Sequence, residues 1–182
     1  AKEKGKFQDF EKTNWAKGEL PITRANKNAM NLTDWKPDWN KWNKLSEEIK
    51  KYGLRNAQLM AIAPTATSGK AINATESIEP IQDFVYKEDG KSNIITLVPN
   101  ISKNSAYYKI AFDCDQYQLI KLAAIRQCFI DQAQSINIYF KKVESLTEFT
   151  LYHLFGFKLG IKTFYYCKTR KEVIEYECES CT

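Results

Sequence analysis

Along this chain the side-chain periodicity switches repeatedly between that of a strand and that of a helix, and this alternation is the feature that most restricts the fold. Residues 58–63 (QLMAIA), closed by Pro64, form a short continuous apolar run, which predicts a strand buried on both faces. Asp115 with Gln118 three residues later is a capping pattern ahead of Leu119, Leu122, Ala123, Ile125, Arg126, Phe129 and Ile130, predicting a helix that runs to about Gln134. Residues 135–140 (SINIYF) are strand-like. Ser145 with Glu148 is a second capping box and opens a helix to about Lys158, which Gly160 stops. Residues 161–166 (IKTFYY), β-branched and aromatic, predict the last strand. Strands alternating with helices predict an α/β architecture, and no internal repeat is present.

The remaining segments are simpler. Trp39, Trp42, Leu45, Ile49 and Tyr52 recur at helical spacing between Pro37 and Gly53, predicting an amphipathic helix over 38–52 with these five as its buried stripe. Residues 82–98 carry a hairpin signal centred on Glu88, Asp89, Gly90 and Lys91. The expected division is a mainly helical segment at 1–57, an α/β body at 58–170 and an acidic, flexible tail at 171–182.

Composition excludes several classes. With 43% hydrophobic and 27% charged residues, disorder and low-complexity readings fail. No apolar run approaches the roughly 18 residues of a membrane span, and the N-terminus has no signal-peptide core, so a cytoplasmic location is expected. Reduced thiols are then expected for the five cysteines at 114, 128, 167, 178 and 181, and no glycosylation at Asn31 or Asn73. Residues 1–60 carry 13 basic and 8 acidic groups, whereas the rest carry 14 of each. That basic, tryptophan-containing third is the basis of a rival reading as a nucleic-acid-binding module, although the helical spacing of the tryptophans favours a core stripe. The chain opens on Ala1 in charged sequence, and a fragment or a processed product is expected.

Three motifs can carry chemistry. Pro64, Thr65, Ala66, Thr67 and Ser68 form a loop of small and hydroxyl residues between a strand and a short helix that Ser68 could cap, a geometry that aims backbone amides at a phosphate. An ordinary strand-to-helix turn is the plainer alternative. The likeness of Thr67, Ser68, Gly69 and Lys70 to a Walker A loop fails, because Pro64 occupies the first glycine position and Ala71 the magnesium-binding hydroxyl position. Tyr165 and Tyr166 adjoin in a strand, where neighbours point to opposite faces, so pattern alone predicts one core ring and one surface ring. Cys178 and Cys181 form a CxxC pair in an acidic tail, suited to thiol–disulfide exchange, with zinc as the alternative if Cys167 and His153 joined them. His153 falls inside the last helix and reads as a packing or interface residue, and Cys114 and Cys128 read as structural. A stand-alone dithiol protein is a third reading.

Taken in order, Leu54-Arg55-Asn56 leading into APTATS, NATESIEP at 73–80, FIDQAQSINIYF at 129–140, FGFKLGIKTFYYCKTR at 155–170 and the terminal CESC resemble the C-terminal part of the large, catalytic subunit of class I ribonucleotide reductase. The resemblance implies the C-terminal portion of a ten-stranded α/β barrel that reduces ribonucleoside diphosphates. It implies that Pro64, Thr65, Ala66, Thr67 and Ser68 hold the substrate diphosphate. It further implies that Tyr165 and Tyr166 relay a radical from a smaller metal-containing subunit, and that Cys178 and Cys181 pass reducing equivalents from thioredoxin or glutaredoxin. The helix at 146–158 resembles part of the groove that receives the small subunit's C-terminal peptide.

The family's radical-bearing cysteine, its internal redox pair and its effector sites have no counterpart here, so the implied partner is the N-terminal portion of the large subunit, as from a split phage gene. No cofactor, metal, membrane or nucleic acid is expected on this chain itself. Cys178 lies eight residues beyond Arg170, a reach of at most roughly 27 Å.

Overall fold

A computed structural model describes residues 1–88, 94–142 and 145–170. The first part of the chain is built of short turns at Phe10–Lys12 and Ile22–Arg24 and two helices, α1 (Lys27–Met30) and α2 (Trp39–Tyr52). Asp38 caps α2 through the Lys41 amide and Gly53 closes it. Only part of its predicted stripe is buried: Ile49 enters a cluster with Phe10, Trp15, Leu20 and Ile22, and Trp42 packs on that cluster. Trp39 remains 47% exposed, and Leu45 and Tyr52 are exposed too. The reason is geometric, since the folded N-terminal turns cover a narrower strip than five residues at helical spacing would require.

Helix α3 (Ala66–Ala71) follows, then the antiparallel pair β1 (Val85–Glu88) and β2 (Ile94–Leu97), in register Val85 with Leu97. These strands flank the expected hairpin turn, of which Asp89, Gly90 and Lys91 lie outside the described residues. A single-turn helix α4 (Ile101–Asn104) leads to α5 (Gln116–Gln127), β3 (Ile138–Phe140), α6 (Leu146–Lys158) and β4 (Cys167–Thr169).

Strand β3 pairs in parallel with β4, Ile138 opposite Cys167, and lies against α5 and α6 in the main core. Asp115 caps α5 by accepting from the Tyr117 amide at 2.9 Å, and Ser145 caps α6 by accepting from the Glu148 amide at 3.2 Å. Gly160 ends α6 at φ 84°, a left-handed conformation that glycine adopts without penalty. It lets the Ile161 amide reach the Gly156 carbonyl at 3.0 Å and the Gly160 amide reach that of Phe157 at 2.9 Å.

Helix α5 stops at Gln127, seven residues before the predicted end. There the Gln134 side chain folds back to donate to the Ala123 carbonyl at 2.7 Å and to the Gln127 side chain at 3.2 Å, bracing the reversal into β3. The buried face of α5 is Gln116, Ile120, Ala123, Ala124 and Gln127, a helical stripe whose two ends are glutamines, while Leu122 is 53% exposed. Both glutamines earn burial by hydrogen bonding: Gln116 Nε2 donates to the Ala111 and Cys114 carbonyls, and Gln127 Nε2 to that of Gln132. Apolar periodicity alone therefore places the stripe slightly off its true position.

Two predicted strands shift. Residues 58–63 form no strand buried on both faces; they run extended beside 132–135, through an isolated parallel bridge between Ile62 and Gln134, with Leu59 49% and Met60 57% exposed. One edge of this run is paired and the other faces outward, so continuous apolarity marks a surface here. The last strand is Cys167–Thr169 and not 161–166, since Ile161 is spent in the helix stop and pairing to β3 begins at Cys167, opposite Ile138.

Candidate functional site

Three extended runs lie side by side in parallel, with 132–140 in the middle, 60–63 on one edge and 165–170 on the other. The middle run receives Ile62 N at the Ala133 carbonyl (3.4 Å) and Tyr165 N at the Ile136 carbonyl (2.7 Å). Loops at the carboxyl ends of parallel strands are where ligands of α/β proteins bind, and the loop that follows 60–63 is the one containing Pro64, Thr65, Ala66, Thr67 and Ser68.

The structure brings these five residues together in one exposed turn. Thr65, at φ 49°, occupies the cap position of α3, so Ser68 lies inside the helix and does not cap it, a correction to the sequence expectation. Thr65 does not cap the helix with its side chain either; its Oγ1 accepts from the Ser77 amide at 3.1 Å, and Ser77 Oγ donates to the Pro64 carbonyl at 2.9 Å. The first-turn amides of α3 are thus left without a capping side chain, which suits an anion better than it suits a free helix end. With only six residues the helix contributes little macrodipole, and the local N–H groups carry the effect. Gly69 sits in a crowded spot: a Cβ there would lie 3.1 Å from the Thr75 carbonyl and 3.3 Å from Glu76 Cα, so a larger residue would press on the backbone that follows the helix.

Tyr165 and Tyr166 lie against one another with tilted rings, their centroids 4.0 Å apart at 49°, and they are 50% and 54% exposed. The expectation of one core ring and one surface ring from strand alternation is overturned, because both residues precede β4 and lie at the exit from the α6 turn, where the backbone is not yet regularly pleated. The hydrogen bond between the two phenols pushes Tyr165 above the ordinary tyrosine range, with the Tyr166 charge and slight burial adding to it.

His153 Nδ1 lies 2.8 Å from the Phe149 carbonyl and its ring packs on Phe149 and Phe164, a packing role. Cys128 is buried with Sγ 3.4 Å from the Ala124 carbonyl, and burial pushes the thiols of Cys114, Cys128 and Cys167 up. Cys178 and Cys181 lie outside the described residues. Among the described residues no group of three His, Cys, Asp or Glu is placed to hold a metal, and no helix is long and apolar enough to cross a membrane.

A polar cluster that no spacing announces lies between loop and strand. Glu79 accepts from the Asn137 amide (2.5 Å), Asn137 Nδ2 (2.7 Å) and the Tyr139 hydroxyl (2.7 Å). Burial first, then the Glu79 charge and hydrogen bond, push the Tyr139 phenol far up, so it stays a donor. The signal in the sequence is Asn137 itself, a polar residue between two buried isoleucines, which demands a partner. Asp131 plays a related part, accepting from the Leu59 and Met60 amides at 2.9 and 2.6 Å and docking 58–62 onto the turn.

A helix-flanked parallel pair preceded by such a loop is a piece of an α/β barrel, and the comparisons specify which. The chain matches the family model described as ribonucleotide reductase, barrel domain, over residues 1–104 and 87–167. It is similar to the ribonucleoside-diphosphate reductase subunit alpha of Helicobacter pylori, at 41% identity over 182 residues, covering 96% of this chain and 23% of that protein. The subunit alpha of Buchnera aphidicola is 36% identical over 99% of this chain and 26% of its own length. The large chain of Neurospora crassa is 30% identical over 93% and 21%. The chain belongs to the ribonucleotide reductase barrel family and corresponds to the C-terminal portion of these relatives, spanning about a quarter of their length.

Proposed function

We propose that this chain supplies part of the catalytic machinery of a ribonucleoside-diphosphate reductase. The loop Pro64, Thr65, Ala66, Thr67 and Ser68 holds the substrate diphosphate through first-turn amides and the Ser68 hydroxyl. Tyr165 and Tyr166 pass a radical inward, each phenol giving up one electron and one proton and regaining them as the radical moves on. The radical comes from a separate metal-containing small subunit. Cys178 and Cys181 hand electrons from thioredoxin or glutaredoxin to an active-site disulfide. In the reaction the C2′–OH bond of the ribose breaks and a C–H bond forms, water leaves, and two thiols are oxidised to a disulfide. The cysteines that do this belong to the rest of the large subunit. The outward face of α6, with Leu151, Leu154 and Phe157 exposed, is the surface offered to the small subunit.

The observation that carries this reading is the close, half-exposed tyrosine pair, an arrangement that strand geometry does not produce by default. In the assembled enzyme, Tyr165→Phe or Tyr166→Phe keeps the ring and removes the oxidisable phenol. Turnover is expected to fall at least a hundredfold, with thermal melting shifted little. Activity above a few per cent in both variants refutes the relay.

A further inference from the structure

Three successive amides on one edge of the central run are met by three different groups. Ser135 N donates to the Ile62 carbonyl at 2.9 Å, Asn137 N to Glu79 Oε1 at 2.5 Å and Tyr139 N to Gln116 Oε1 at 3.0 Å. The backbone neighbour therefore leaves this edge at the phosphate loop, and a carboxylate from the returning chain takes over where it left.

Glu79 is held there firmly. Its second oxygen accepts from Asn137 Nδ2 and from the Tyr139 hydroxyl, both at 2.7 Å, and these partners are only 8% and 3% exposed. Two residues earlier, Ser77 grips the loop from the other side, through the Thr65 hydroxyl and the Pro64 carbonyl. Ser77 itself is kept at φ 62° and Thr65 at φ 49°, a region that neither residue enters freely and that persists only where surrounding contacts hold it. The far edge of the same run carries the backbone of the tyrosine pair, Tyr165 N on the Ile136 carbonyl and Ile138 N on that of Tyr166 at 2.9 Å.

We infer that Glu79 is a positioning residue, whose carboxylate registers the loop Pro64 to Ser68 against the central run and so against Tyr165 and Tyr166 on its opposite edge. The inference rests on the reading of that loop as the diphosphate site. A carboxylate does what a third strand would not, because it accepts from a backbone amide and two side chains at one point while leaving the loop above it free to face substrate. Removing it orphans buried donors and releases the segment that clamps Pro64 and Thr65.

The test is steady-state kinetics of the assembled enzyme with a ribonucleoside diphosphate. Glu79→Ala is expected to raise KM at least tenfold, whereas a merely structural role lowers the active fraction, and hence kcat, at constant KM. Glu79→Gln is expected to stay within threefold of the parent. Turning the Asn137 amide over presents its Oδ1, a buried atom with no hydrogen-bond partner in the structure, to the new amide, and the Tyr139 hydroxyl can accept as well. An unchanged KM in Glu79→Ala overturns the inference. A glutamine defect as deep as that of alanine does so too, since charge and not register would then be at work. If Glu79→Ala does not assemble, Tyr139→Phe decides: it deletes one hydrogen bond to Glu79 and is expected to raise KM two- to fivefold, and an unchanged KM overturns the inference. Ser68→Ala separates the two levels. A raised KM there with none in Glu79→Ala leaves the loop as the diphosphate site and removes the clasp; no change in either removes both.

Discussion

The stretch from α5 to Ile161 supplies most of the main core, whereas the stretch from residue 58 to Val85 supplies none of it. In the first, Ile120, Ala123, Ala124, Ile136, Ile138 and Ile161 are buried together, both long helices are capped, and the helix stop is hydrogen-bonded in full. In the second, Leu59, Met60, Ile72, Ile78 and Val85 are all exposed, with Ile72 at 76%. The first closes along its inner face while α6 keeps Leu151, Leu154 and Phe157 outward, whereas the second buries only Ile81 among its large apolar residues. Large apolar side chains left exposed mark a surface that another chain can cover, and the relatives extend about three quarters of their length beyond the matched part.

The sharpest way to break this contrast is to truncate one residue on each side. Ile138→Ala opens a cavity in the closed core and is expected to cost about 2 to 5 kcal/mol with or without the complementing portion of the large subunit. Met60→Ala should cost under about 0.5 kcal/mol in the chain alone and distinctly more in the assembly. Urea unfolding in both states checks this, and an equal Met60 cost in the two shows that the edge stays open.

A smaller effect tests how the closed side is sealed. Gln116→Leu preserves bulk and removes the acceptor for the Tyr139 amide as well as the donor to two carbonyls. The buried orphans should cost about 1 to 3 kcal/mol. Exchange at the Tyr139 amide should accelerate more than at Ile138, which keeps its bond to Tyr166.

These two sites also mark what could be read from residues alone. Asp115, Ser145 and Gly160 act locally, through side chains and φ values fixed within a few residues, and each does in the structure what its spacing implies. The α/β architecture follows from strand–helix alternation, but the order of the runs at 60–63, 132–140 and 165–170 does not. The acceptance of the Tyr139 amide by Gln116 and the Glu79 clasp depend on partners 23 and 58 positions away, and the close contact of adjacent tyrosines on a local departure from strand alternation, so periodicity is blind to them. Residues 58–63 misled for a different reason: apolarity states that a segment must be covered and is silent on whether the cover lies in the same chain.

The smallest expected effect concerns Asp131, which joins the two regions by holding the Leu59 and Met60 amides. Its partial burial acts to raise the carboxyl pKa, but the two amide hydrogen bonds and that from Gln132 together bring it below the ordinary carboxylate value. A carboxyl depressed in the folded state stabilises that state fully above its unfolded pKa of about 4, and the contribution disappears as pH falls through the lower folded value. The docking of 58–62 should therefore be constant from neutral pH down to about 5 and loosen below about 4. The group is largely solvated, so the loosening should be local, seen as faster exchange of the Leu59 and Met60 amides relative to Ile138 once intrinsic rates are allowed for. Asp131→Asn keeps one acceptor oxygen and no titration, so its two amides should exchange faster than in the parent at neutral pH and show no further step on acidification. A step that survives in Asp131→Asn would mean that another carboxylate governs the edge, and the junction between the closed and open regions would have to be sought elsewhere.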